Sequence, residues 1–259
     1  SMTLNTQQSA NHIDFETAED GAGQVTITTN GGTTQFELIN GVFNYSDLSN
    51  NVSLQINAPD LPFPIAATAD QLGFGIGMPI VQSENPQRIA LSTDLIGLNV
   101  DEILWAMFDP SSALPHDPVT LSYDLEGTGR LLVDLDDEEA MDGMIEAGQS
   151  PFELQTLSLK SLLLSAVGAD VKASGDFTFD NNDLETFDGF PAPEGSLDLL
   201  ATGVNGLLDK VAAMPLGMSE QIMGARMMLG MFTTVTGDDE LTSSIEVQKN
   251  GAISVNGQR

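Results

Sequence analysis

The sequence predicts an α+β fold: a long curved antiparallel β-sheet with several short amphipathic helices packed on its apolar face. Three observations carry that expectation. Long segments alternate apolar and polar residues with a period of two, the mark of a sheet with one greasy and one wet face. Residues that tolerate positive φ punctuate them. Three strand-like segments run directly into short helical patterns.

Taken in chain order, residues 1–11 are polar and read as a flexible tail, and 12–259 as a single β-rich domain with a possible subdivision near 110–117. "VTITTNGGTTQFELI" (25–39) reads as two strands turning at Asn30-Gly31-Gly32. "NVSLQIN" (51–57) alternates, and "APDLPFP" (58–64) is a proline-broken loop. "VTLSYDLEGTGRLLVDL" (119–135) is expected to turn at Gly127-Thr128-Gly129, "GDFTFDNNDLETF" (175–187) near Asn181-Asn182, and the closing segment (240–257) at Asn250-Gly251. Strand-then-helix units are expected at 88–108, 129–147 and 195–214. Asn99 with Glu102 and Asp136 with Glu139 are spaced as N-cap and N3 residues.

Composition excludes several function classes. The chain has 38 acidic and 8 basic residues, a formal charge of −30, and neither Lys nor Arg before Arg88. Such a chain repels phosphate backbones and anionic headgroups, so nucleic acid is not an expected partner. With no cysteine there is no disulfide, thiolate zinc site or thiol nucleophile. No apolar run approaches the ~18 residues of a membrane span. Ser1-Met2 reads as a cloning remnant.

Two apolar features stand out. Residues 218–232 hold five of the eleven methionines. On a helix, Met218, Ile222, Ala225, Leu229 and Phe232 fall in one sector of about 80°. Met223, Met227 and Met231 form a second stripe, with Met228 between the two. A buried helix with methionine as gap-filler is the plainer account; an adaptable wall of an apolar groove is the functional one. The i, i+4 spacing of Met223 and Met227 also matches soft-metal thioether ligation, but without neighbouring His or Cys. The second feature is "LGFGIGM" (72–78), where Gly73, Gly75 and Gly77 leave one strand face bare. The choices there are tight packing of a neighbouring element, a bulge, or the approach of a ligand chain. If the bare face and the methionine stripe bounded one slot, that slot would be the binding site.

Polar chemistry is sparse. The acids of "DLDDEEAMD" (134–142) suit a helix start, where carboxylates meet the positive end. Asp180, Asn182 and Asp183 offer oxygen atoms of the kind calcium takes, although a polar turn is the preferred account. His12 and His116 have no nucleophile motif beside them, and Trp105 reads as a core anchor. The expectation is a protein without enzymatic activity, catalytic residues or cofactor. Its expected role is to bind or carry an apolar ligand such as a lipid, or, in the competing reading, to serve as a structural or interaction domain that uses the methionine helix as its contact face.

"FTFDNNDLETFDGFPAPEGSLDLLATGVNGLLDKV", "QIMGARMMLGMF" and "SSIEVQKNGAISVNGQR" resemble an alphaproteobacterial domain-of-unknown-function family numbered two-one-two-five, over roughly residues 70–259. The resemblance implies an exported, periplasmic or envelope protein of which this chain is a carboxy-terminal portion, and it implies no activity. An upstream region or an envelope protein is then an expected partner. The closing strand, Asn-Gly and "ISVNG" also resemble short repeat units of envelope lipid-trafficking proteins.

Overall fold

The computed structural model describes residues 1–16, 23–214 and 218–259. Its strands are β1 (Met2–Glu16), β2 (Gln24–Ile39), β3 (Val42–Asn57), β4 (Ile65–Pro79), β5 (Gln87–Val100), β6 (Val119–Leu131), β7 (Phe152–Ala166), β8 (Ala169–Asp180), β9 (Ala192–Thr202), β10 (Thr234–Gly237), β11 (Glu240–Val247) and β12 (Ile253–Val255). Four helices lie in the connections: α1 (Glu102–Phe108), α2 (Glu138–Glu146), α3 (Val204–Ala213) and α4 (Ser219–Phe232).

All twelve strands join one antiparallel sheet in the order β1-β2-β3-β4-β5-β6-β7-β8-β9-β11-β10, with β12 on β11. The sheet is open, because β1 pairs with β2 alone and is not closed onto the far edge.

The α+β class expected from the sequence is not what forms. Strand accounts for 58% of the described residues and helix for 16%. The described helices do not form a continuous second layer: the most extensive helix packing is α3 against α4 and α3 against β8. Helices of 7, 9, 10 and 14 residues inserted between strand ends are too short to cover strands of up to 16 residues. The accessible surface of 15706 Å² shows the consequence. A compact chain of 27.4 kDa would expose about 10,900 Å².

Two expected turns are not turns. Asn30-Gly31-Gly32 lies inside β2, which runs unbroken to the true hairpin at Asn40-Gly41 (φ 51° and 75°). Gly127-Thr128-Gly129 lies inside β6, where the ring of Phe152 occupies the space a Gly129 side chain would need. The Asn250-Gly251 turn forms as expected, and so does each strand-then-helix unit. The caps move. Asp101, not Asn99, caps α1 and accepts from the Ile103 amide; Asp137, not Asp136, caps α2 and accepts from Ala140. Residues read as a tail lie in β1.

A line of irregularities crosses β1–β5. Pairing lapses opposite Gly31 in β1 and β2, at Asn51 with Asp70, and at Gly97; Gly31, Asn51 and Gly97 have φ of 85°, 47° and 66°. At β6 the defect ends in a register shift: Leu95 pairs Leu121, but Leu98 pairs Val119. Each of these strands thus carries one extra residue, and the side chains beyond it return to the face they would otherwise leave.

Candidate functional site

Directly opposed residues of antiparallel strands share a face. Following the register across the sheet gives the row Leu4, Phe36, Tyr45, Ile76, Leu91, Leu125, Leu159, Gly175, Leu197, Ile245 and Val255. Eleven strands contribute, and only Gly175 lacks a side chain. The row beside it, on the opposite face, is Asn5, Gln35, Ser46, Gly75, Ser92, Asp124 and Ser161. At this level of the sheet one face is therefore apolar and the other polar.

Beyond the line of irregularities the apolar face continues as Ile13, Ile27, Leu54, Ala67 and Val100. A polar belt separates the two apolar zones near β1–β3: Gln8 Nε2 donates to Thr34 Oγ1 at 2.6 Å and to Asp47 Oδ1 at 2.9 Å. Large side chains on the apolar face remain in contact with solvent. Leu72 is 45% exposed and Phe74 44%. Coverage is local: Leu241 on β11, paired between Ala201 and Val235, is buried.

Gly73, Gly75 and Gly77 fall on the polar face. Gly75 and Gly77 floor a groove of about 500 Å³ whose walls include Gln35, Glu37, Asn44, Ser92, Arg88 and Asp124. Neighbouring side chains use the space the glycines leave. A Cβ on Gly75 would stand 2.5 Å from Ser92 Oγ, and one on Gly77 2.7 Å from Asn44 Oδ1.

Met223, Met227, Met228 and Met231 lie on α4, which connects α3 to β10. Five strand spacings separate β4 from β9, about 24 Å along the sheet. The glycine strand and the methionine helix therefore do not bound one slot. The helix packs on one side only. Ile222 is 6% exposed, whereas Met223, Met227, Met228 and Met231 are 69%, 65%, 61% and 67% exposed. Cβ atoms at Gly224 and Gly230 would meet only open space. Arg226 holds α4 to α3 through Asp209 at 2.5 Å.

The densest polar constellation lies in the connection from β5 to β6. The His116 ring stacks on Trp105 at 4.3 Å, its Nδ1 lies 3.1 Å from a Glu102 carboxylate oxygen, and its Nε2 is 3.6 Å from Asp109 Oδ2. Burial pushes the Asp109 carboxyl up. Hydrogen bonds from the Leu114 and Ala113 amides and the Ser111 hydroxyl outweigh it and hold the group below the usual carboxylate range. Two of these three donors are loop amides, and among the described residues no hydroxyl is hydrogen-bonded to the imidazole. The arrangement latches the loop after α1. A comparable long-range cap, absent from the sequence reading, is Asp239: it accepts amides from Asn205 and Gly206 at 2.8 Å each and closes the N-terminus of α3, where Gly203 has no side chain to do so.

Asp180 and Asp183 cap their own turn. Asp180 accepts from Asn182 and Asp183 from Glu185 and Thr186. Among the described residues no cluster of three metal-ligating side chains forms, and no helix is long and apolar enough to cross a membrane. No family model, curated protein or solved structure matches the chain.

Proposed function

We propose that this chain is a non-enzymatic binding or carrier domain for an apolar ligand such as a lipid, exported to the periplasm or envelope. One observation carries the reading: an apolar face that runs through eleven strands and that the chain itself leaves largely uncovered. Each methylene of a ligand laid on it gains about 0.8 kcal/mol on full burial, less the ordering cost. A bilayer core of about 30 Å holds two layers of acyl chain, so one chain of ~15 Å covers about three strands. The face has room for several. The charge of −30 keeps such a protein soluble while it exposes apolar surface, and it suits neutral rather than anionic lipid. The family resemblance supports the exported location.

The test is native mass spectrometry of the purified protein and solvent extraction of what it retains. Co-purifying lipid that is lost in the double variant I76Q/L91Q, with the fold intact by circular dichroism, supports the reading. Protein free of lipid, with no uptake of a fluorescent fatty acid, overturns it. A second reading, an interaction domain of the envelope, is favoured by the outward methionines of α4, which belong to a helix whose packed side is already satisfied.

A further inference from the structure

The two edges of the sheet are built differently. At one, β10 has four residues and a register shift, and β12 has three. Short, irregular strands are how sheets close an edge to further pairing. At the other, β1 is fifteen residues long, contains no proline, lysine or arginine, and is exposed along nearly its whole length. Its apolar face carries the same alternation as the interior strands up to the last row. Apart from its one extra residue and the charges of Asp14 and Glu16 near its end, β1 is a long free edge.

We propose that β1 pairs antiparallel with β1 of a second copy of this chain, joining two sheets into one continuous twenty-four-stranded sheet (twice the twelve of one copy). The sequence of β1 is self-complementary in one register, with the two-fold axis between Gln8 and Ser9. Met2 then opposes Phe15 and Leu4 opposes Ile13, each pair occurring twice by symmetry. Even residues before the axis meet odd residues after it. In a regular strand such partners would point to opposite faces. Here the extra residue opposite Gly31 changes the phase within β1, so Leu4 and Ile13 lie on the same apolar face. The acidic residue that faces the partner within the ladder, Asp14, opposes Thr3, so no like charges meet directly. The two apolar faces become one. The remaining opposition is long-range, because each copy carries −30. Salt shortens that repulsion from a Debye length of about 8 Å at 0.15 M to about 3 Å at 1 M. The pairing does not depend on what the apolar face binds.

Sedimentation velocity of the whole chain at both salt concentrations tests this. The expected result is a concentration-dependent dimer, at least tenfold tighter at high salt. L4K/I13K places lysine opposite lysine twice and is expected to be monomeric where the parent is dimeric. L4K/I13E places lysine opposite glutamate in the same register and is expected to restore the dimer. Thermal melts establish that each variant folds. A parent that stays monomeric at both salt concentrations overturns the proposal. So does an L4K/I13K variant that dimerises like the parent, or a folded L4K/I13E variant that fails to recover.

Discussion

The one-sided packing of α4 makes a sharp contrast between neighbouring residues. Ile222 is 6% exposed and Met223, the next residue, 69%. Truncating a buried isoleucine removes its transfer energy and leaves a cavity, about 2–5 kcal/mol in well-packed cores. Since α4 meets the rest of the protein on one side, the site relaxes more easily than a deep core, and about 2–3 kcal/mol is expected for Ile222→Ala. In a chain of this size each kcal/mol moves the midpoint by about 2–4 °C, so the variant should melt about 4–12 °C below the parent. Met→Gln at 223, 227 and 231 keeps the methylene stems and nearly the same helix propensity. Each such surface change should stay within about 0.5 kcal/mol. Differential scanning calorimetry of I222A against M223Q/M227Q/M231Q reads the difference. If the triple variant falls as far as I222A, the methionine face is packed rather than free, and the interaction reading of α4 fails with it. Lipid retention in the triple variant should match the parent, because the ligand face is on the sheet.

Other perturbations have equally definite signs. Asp109 and Asp239 are both held below the usual carboxylate range by amide donors, so their stabilisation is complete above a pH of about 4 and is lost as pH falls through their folded-state values; acid titration by circular dichroism should show a flatter stability curve below pH 4 in D109N/D239N than in the parent, together with lower stability at neutral pH. Gly97 has φ of 66°, and any side chain there would overlap the Asp70 carboxylate, so Gly97→Val should destabilise by more than about 1 kcal/mol in urea melts, while Asn51→Gly, at φ 47°, should be neutral or stabilising. Calcium or EDTA should leave the melting temperature unchanged beyond the screening seen with an equal ionic strength of NaCl, because Asp180 Oδ1 and both Asp183 oxygens are spent on their own turn and Asp180 Oδ2 faces Lys249; a calcium-specific rise abolished by D183N would show a cation site there.

Alternation made the antiparallel sheet legible, and turn chemistry located the Asn250-Gly251 hairpin. The same turn chemistry misplaced another. Asn30-Gly31-Gly32 and Asn40-Gly41 both offer positive φ, and local sequence does not say which reverses the chain and which only shifts its phase. The length of the partner strands decides, and that is a non-local quantity: β2 needs sixteen residues to match β3. Helix existence was readable from apolar period and acidic starts, whereas helix placement was not. A helix with a greasy stripe demands cover of some kind, and α4 satisfies that demand through the side that carries Ile222, Ala225 and Leu229. The bare strand face at Gly73, Gly75 and Gly77 was visible in the sequence. That it is the polar face follows from register, through Ser46, Ser92 and Asp124. The Asp239 cap of α3 joins residues more than thirty positions apart and leaves no local signal.

The apolar face and the open edge have a common origin in the line of extra residues through β1–β5. A strand that slips by one position turns every side chain to the other face. Without the defect, Val25 and Ile27 would face opposite Phe36 and Leu38, and each of the first five strands would be greasy on one face at one end and on the other face at the other end. With it, both halves of β2 present their apolar residues on one side. The shift is taken up in every strand at the same level, so regular pairing resumes beyond it. It also gives β1 the odd-to-even phase that a self-paired antiparallel strand needs to bring Leu4 and Ile13 together. One extra residue per strand, most visibly at Gly31, Asn51 and Gly97, thus decides both which surface is offered to a ligand and which edge is offered to a second copy.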